Sequence, residues 1–489
     1  MDYGSGAMLF LLTCIVTYFF GSFLGRSKKP NYKLPPGPSF FTIMSNVVEL
    51  YNKPQQTLAE FAKLYGPIMR IKLCTETTII ISSSHMAKEI LFTNDSLFTD
   101  RSVPDNTTTQ NHNNFSLVFL PFSPLWQHLR KICHNNLLST KTLDGSQELR
   151  RKKLKDLLND MHKSSITGEA VDVGRAAFKA CINFLSYTFV SQDFVENLDD
   201  EYKNIVSTLL SAVGTPNIAD HFPVLKIFDP QGIRRHTTLY VSKVFYALDI
   251  IIDQRMKMRQ SEQYVSKNDM LDALLDISKE DNQKMDKRQI KHLLLDLLVA
   301  GTETSAYGLE RAMSEVVRHP EVMSKAKKEL EETIGLGKPI EESDIDRLPY
   351  LNAVIKESLR LHPPAPMLLP RKARVDVEIA GYTIPKGAQV LINEWAIGRT
   401  DIWDDAHLFS PERFLGSEID VKGRHFKLTP FGSGRRICPG SPLAVRMLHL
   451  MLGSLINSFD WKLENNMEPK DMNLDKQLRA IPVALNKVY

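Results

Sequence analysis

The run Phe431-Gly432-Ser433-Gly434-Arg435-Arg436-Ile437-Cys438-Pro439-Gly440 opens directly into a long apolar helix pattern, from Ser441 to about Phe459. A cysteine placed just ahead of a helix meets the unpaired N–H groups and positive dipole end of that helix, which lowers a thiol pKa and favours the thiolate. Gly432, Gly434 and Gly440 let the backbone close around the sulfur and take positive φ where a side chain would clash. Arg436 adds a cation two residues from Cys438, suited to an anionic group on a bound cofactor. A buried, inert thiol in a glycine-rich turn is the alternative for a lone cysteine. On the first reading, the rest of the chain is a scaffold that presents one sulfur.

The other cysteines agree with that. Cys14, Cys74, Cys133, Cys181 and Cys438 are odd in number and have no C-x-x-C spacing, which argues against a disulfide framework or a structural zinc site. The 489 residues suffice for a large core with an internal cavity. The formal net charge of +4 is too small to argue for nucleic acid as a partner.

Ala7 to Leu24 is nearly continuous in apolar and small residues and is followed by Arg26, Lys28 and Lys29. That length approaches a bilayer span, and the trailing positive charges place the remainder in the cytosol. A cleaved signal peptide would carry basic residues before the apolar run, whereas Asp2 leads here. The expected organisation is a membrane anchor over 1–28, a proline-rich hinge over 29–40 containing Leu34-Pro35-Pro36-Gly37-Pro38, and one domain over 41–489. The hinge reads either as a stiff support or as a plain linker. Sequons at Asn94, Asn106 and Asn114 go unused in this topology.

Alternation in Arg70-Ile71-Lys72-Leu73 and the β-branched run Thr77 to Ile81 predict a hairpin over 70–83. Helical patterns then dominate. Trp126 and Arg130 are four apart on a helix expected over about 123–136 and share one face. Arg150 to Lys155 reads as a solvated charged face. The longest pattern covers 289 to about 318 and is apolar on most faces, so it is buried. In its middle stands Ala300-Gly301-Thr302-Glu303-Thr304-Ser305. A mid-helix glycine costs about 1 kcal/mol relative to alanine, and close approach of a ligand would explain Gly301. Thr304 and Glu303 can hold and relay protons. Thr304 can equally bond back to a carbonyl one turn earlier. Glu357 and Arg360 are three apart on a further helix. Strands over 377–380 and 389–393 add a small β-rich lobe.

The spacing Phe-x-x-Gly-x-Arg-x-Cys-x-Gly, together with the Ala300 to Ser305 hexad and Glu357-x-x-Arg360 followed by Pro411-Glu412-Arg413-Phe414, resembles the cytochrome P-450 monooxygenases. Val171 to Phe178 and Phe228 to Ile233 look like the plant geraniol 8-hydroxylase branch, whose members include terpenoid hydroxylases. The resemblance implies a mainly α haem-thiolate fold with a small β-rich lobe, behind an N-terminal transmembrane helix. It implies haem b (iron protoporphyrin IX) with the Cys438 thiolate as axial ligand. Trp126, Arg130 and Arg371 would hold the propionates, and Ala300, Gly301, Phe431, Gly434, Arg436 and Gly440 would line the cofactor. Thr304 and Glu303 would serve oxygen activation, and Glu357, Arg360 and Arg413 would form a buried structural triad.

No dinucleotide loop is visible, so electrons would come from NADPH through a reductase. Arg435 and Lys131 are candidates for that contact. The expected activity is hydroxylation of a small apolar substrate, a geraniol-like monoterpenol or another terpenoid, at the endoplasmic reticulum membrane with the catalytic domain cytosolic. A phenolic or alkaloid hydroxylase is an alternative. The passage from Asp475 to Leu478 is shorter than the resemblance leads one to expect. A non-catalytic relative with a shortened substrate loop, and an enzyme that rearranges an oxygenated substrate without reductase, are further alternatives.

Overall fold

A computed structural model describes residues 33–73, 76–192, 199–215, 217–221, 223–280, 285–474 and 478–485. The expected anchor over 1–28 lies outside the described residues. Among the described residues no helix is long and apolar enough to cross a membrane.

The principal helices are α1 (Pro54–Tyr65), α2 (Pro124–Ile132), α3 (Gln147–Thr167), α4 (Val173–Val190), α5 (Asp199–Gly214), α6 (Ile233–Met258), α7 (Lys287–Arg318), α8 (Pro320–Thr333), α9 (Pro349–Leu361) and α10 (Ser441–Ser458). The strands are β1 (Ile68–Leu73), β2 (Glu76–Ile81), β3 (Asp100–Arg101), β4 (Val171–Asp172), β5 (Arg371–Lys372), β6 (Val377–Ile379), β7 (Tyr382–Ile384), β8 (Gln389–Ile392), β9 (Phe459–Leu463) and β10 (Arg479–Ala484). One sheet runs β1-β2-β8-β5-β3, a second β4-β10-β9, and β6 pairs with β7. The expected hairpin is the antiparallel β1–β2 pair, with Ile71 opposite Thr78. The protein is thus mainly helical with small sheets.

Helix α7 starts where Asp286 and Gln289 cap each other reciprocally, Asp286 Oδ1 accepting from the Gln289 N–H at 2.8 Å. It ends before Pro320, which cannot continue a helix. Both α4 and α10 pack along it. The main apolar core is built from these helices, including Phe184, Leu294, Met313, Val354 and Met451.

One expectation changes here, and one reading left open is narrowed. Arg150 and Lys153 are buried rather than solvated; Arg150 Nε donates to Glu342 Oε1 at 2.7 Å and Nη1 to Ser146 Oγ at 2.9 Å. Burial is tolerated because each charge has a partner, which local sequence does not show. The described end of the hinge is also no free linker. The Arg70 N–H donates to the Pro36 carbonyl at 2.8 Å and the Thr383 N–H to the Lys33 carbonyl at 2.9 Å. A Cβ at Gly37 would overlap the Arg70 carbonyl, so only glycine lets the strap lie on β1.

Candidate active site

The cysteine loop folds as a tight turn against α10. Gly432 and Gly434 have φ of +72° and +69°, and a Cβ at Gly434 would run into the Leu91 carbonyl and Asp95. Gly440 differs from expectation: its φ is −79° and it caps α10, with Pro442 in the first turn. The Cys438 N–H donates to the Phe431 carbonyl at 2.9 Å, closing the loop. Cys438 is half-buried. Burial pushes its thiol up, against the opposing pull of the Gly440 N–H, nearby Arg130 and the Ser441 N–H. The helix terminus is therefore present but outweighed by desolvation. A thiolate held here needs a cation facing it, which a metal ion supplies. Cys133 and Cys181 are fully buried and burial pushes both thiols up, Cys133 to about 12; they are inert packing residues.

Three guanidiniums from distant parts of the chain, those of Arg101, Arg130 and Arg371, gather with the loop's own Arg436. Arg436 donates to the carbonyls of Thr99 (2.8 Å), Leu117 (3.3 Å) and Leu120 (2.5 Å) and lies 4.3 Å over the Trp126 ring. Arg371 donates to Asp95 Oδ1 at 2.8 Å and the Ser433 carbonyl at 2.7 Å. Arg101, next in the sheet to Arg371, donates to the Leu369 and Pro370 carbonyls at 2.5 and 3.0 Å. The Arg130 guanidinium makes no hydrogen bond among the described residues, and it acts electrostatically on Cys438.

Burial together with Arg371 holds Arg436 down to about 10, and burial together with Arg371 and Arg436 holds Arg101 well below its ordinary value. Burying like charges together is unfavourable unless an anion joins them. Arg101 Nε is buried without a partner. These residues therefore fit a group bearing carboxylates beside a metal, as haem does. Trp126 contributes differently from the expected indole contact to an anion: its N–H donates to the Leu117 carbonyl at 3.0 Å. Arg101 was not singled out in the sequence, where the Asp-Arg pair at 100–101 carries no motif.

On α7, residues 293–317 are buried except for one stripe: Val299, Ala300, Gly301, Glu303, Thr304, Tyr307, Glu310 and Arg311. The helix is thus not buried all round. Within the hexad Ala300, Gly301, Glu303 and Thr304 lie on this less buried stripe, at the i, i+3, i+4, i+7 spacing of one face, while Thr302 and Ser305 are buried. Thr304 Oγ1 donates to the Ala300 carbonyl at 2.5 Å, the bond one turn back. Ser207 Oγ of α5 lies 3.5 Å from Glu303 Oε1. The close approach that Gly301 permits is to Leu185 of α4, whose Cδ1 would lie 2.9 Å from a Cβ. Past the stripe, the Leu478 N–H donates to Glu310 Oε1 at 3.3 Å and Arg311 donates to the Leu474 carbonyl, so α7 holds both flanks of the short C-terminal loop.

Behind the site, Glu357 is completely buried and accepts from Arg360 Nε and Nη2 at 2.7 and 2.8 Å and from Arg413 Nε at 2.9 Å. The three side chains read from the sequence are one cluster. Arg360 also donates to the Gly398, Ala406 and Leu408 carbonyls, so it ties α9 to the segment leading into the cysteine loop.

A helical fold that presents one sulfur in a glycine-bounded turn, beside guanidiniums suited to carboxylates, defines a haem-thiolate protein. The cytochrome P450 family model matches residues 35–485. Geraniol 8-hydroxylase of Catharanthus roseus is 46% identical over 499 residues, covering 99% of this chain and 100% of the relative. Geraniol 8-hydroxylase of Swertia mussotii is 45% identical, covering 97% and 96%. Drimenol monooxygenase of Persicaria hydropiper is 44% identical, covering 98% and 94%. A solved zebrafish cytochrome P450 with progesterone superposes with a TM-score of 0.71 at 21% identity, covering 88% of this chain and 99% of that one. The chain belongs to the cytochrome P450 family and is a haem-dependent monooxygenase.

Proposed function

We propose that this chain hydroxylates a small apolar terpenoid, a geraniol-like monoterpenol, and that Cys438 would supply the thiolate that holds haem b. The convergence of Arg101, Arg130, Arg371 and Arg436 on the Cys438 loop supports the cofactor assignment, and the named activities of the geraniol and drimenol relatives support the substrate class. The reaction is R–H + O2 + 2 electrons + 2 protons giving R–OH + H2O, with electrons from NADPH through a separate reductase. Haem, when bound, supplies the reduction of dioxygen and the oxygen insertion, and a thiolate ligand favours O–O cleavage.

The chain's own groups hold, orient and deliver. Arg130 and the free Nε of Arg101 would take carboxylates of the cofactor, fixing its register against Cys438. Thr304 keeps a proton on Oγ1, parked on the Ala300 carbonyl, and can turn it toward the open stripe. Glu303, reaching toward Ser207 on α5, is the acid that resupplies it. An anchor over 1–28 and a hinge over 29–40, tied to the domain from Lys33 onward, would hold the domain over 41–489 on the cytosolic face of the endoplasmic reticulum, where exposed Arg435 and Lys131 would meet an acidic reductase surface. Incubation with reductase, NADPH and geraniol tests the reading: hydroxylated product in step with NADPH consumption is expected. Its absence from a haem-loaded protein would overturn the substrate assignment.

A further inference from the structure

One cluster of buried titratable side chains has no part in the chemistry above. The segment Asp105–Asn114 carries His112, and α7 carries His292 and Asp296; all three are buried. His112 Nδ1 and His292 Nδ1 are 2.8 Å apart, and His112 Nε2 is 3.0 Å from Asp296 Oδ1. Asp296 also accepts from Ser116 Oγ at 2.9 Å and from the Leu117 N–H at 2.7 Å. The His292 ring stacks on Phe115 at 4.9 Å and meets the edge of Phe245 at 4.7 Å.

Proton positions follow from the partners. Nε2 of His112 faces a carboxylate and carries hydrogen, and one further hydrogen lies between the two Nδ1 atoms. Two neutral rings, or one imidazolium and one neutral ring, satisfy that; two imidazoliums would set N–H against N–H. Burial and His112 hold His292 down to about 4, so His292 is neutral at working pH. The bond is a stable latch between a loop and a helix.

What the latch holds gives it meaning. The Leu117 carbonyl accepts from Trp126 and Arg436, and the Leu120 carbonyl accepts from Arg436. Asp296 lies one turn before Ala300 and two before Thr304 on α7. Residues 115–120 therefore connect Asp296 of α7, one turn before Ala300, to Trp126 and to Arg436 of the Cys438 loop.

We infer that His112 and His292 are positioning residues for hydroxylation: their hydrogen bond sets where the 115–120 segment stands against Ala300 and Thr304, and hence how closely an apolar substrate is held to the reacting centre. The inference rests on the reading of this site as a haem-thiolate hydroxylase. His292→Phe keeps the ring stack and removes the bond; His292→Asn places an amide where Nδ1 stood and restores it.

Both variants are loaded with haem, checked by the carbon-monoxide spectrum, and titrated with 4-phenylimidazole, an apolar ligand indifferent to substrate identity. They are then assayed with geraniol and reductase. Loss of one buried bond that strands His112 predicts an approximately five- to tenfold weaker 4-phenylimidazole affinity and higher KM for His292→Phe, with kcat within about twofold. His292→Asn is expected within about twofold of wild type. Unchanged affinity in His292→Phe, failure of His292→Asn to rescue, or loss of haem from both variants would each overturn the proposal, the last by showing a folding role. The expected 4-phenylimidazole pattern in a protein that leaves geraniol untouched would uphold the latch and remove only the terpenoid reading.

Discussion

Glu357→Gln is the sharpest test of how the site is held in place. The carboxylate accepts four donors, Arg360 Nε and Nη2, Arg413 Nε and the Ser410 N–H, all at 2.7 to 2.9 Å, and the two from Arg360 are fully buried. Glutamine offers one oxygen and turns an NH2 toward at least one of these donors, and it leaves Arg360 charged and fully buried. Breaking a buried pair from one side costs about 3–5 kcal/mol, because the remaining charge is uncompensated. Arg360 keeps its three carbonyl partners, so the lower half of that range is expected. Denaturant unfolding followed by tryptophan fluorescence reads it as a lower midpoint at unchanged slope, with haem released at correspondingly lower denaturant. Arg413→Met should cost less, since its side chain reaches the rim of the cluster. A Glu357→Gln protein within about 1 kcal/mol of wild type, judged against that buried-pair range, would refute the claim that this cluster carries the scaffold.

Other perturbations have equally definite outcomes. Gly434→Ala forces a side chain into the left-handed region and into the Leu91 carbonyl, so haem incorporation in the purified protein should fall sharply. Glu394 is buried, accepting from the Thr429 N–H and hydroxyl, and burial pushes its carboxyl up to about 7 from an ordinary 4.5. Between those values the folded state binds more protons than the unfolded one, so its contribution falls as pH rises, by on the order of 3 kcal/mol across the window. Glu394→Gln should therefore gain stability over wild type at pH 8 relative to pH 5, and equal shifts at both pH values would contradict it. Thr304→Ala should lower product formation on the order of a hundredfold while NADPH consumption continues; product still matching NADPH would remove Thr304 from proton delivery.

Elements whose signals are local were legible in the sequence. The β1–β2 hairpin, the reach of α7 and the start of α10 follow from periodicity, caps and prolines, and the Glu357, Arg360 and Arg413 cluster from spacing and resemblance. What was hidden depends on partners far along the chain. Arg150 reads as solvated until Glu342 is found beside it, and the 33–38 strap looks like a linker until β1 and β7 accept it. Gly301 answers to Leu185 on another helix. Cys438 is raised rather than lowered because desolvation outweighs a helix terminus, a balance that depends on depth. Arg101, His112 and Asp296 carry no motif, although a lone His292 and Asp296 inside a leucine-rich helix are a detectable anomaly: buried polar groups need partners.

On the function proposed above, Cys438 is the thiolate ligand of a haem held by these arginines. The reduced, carbon-monoxide-bound difference spectrum of the wild-type protein and of Cys438→Ser tests it most directly. A thiolate-type Soret band is expected in the wild type and should disappear in the variant. A protein without haem, or a thiolate band that survives Cys438→Ser, would contradict it.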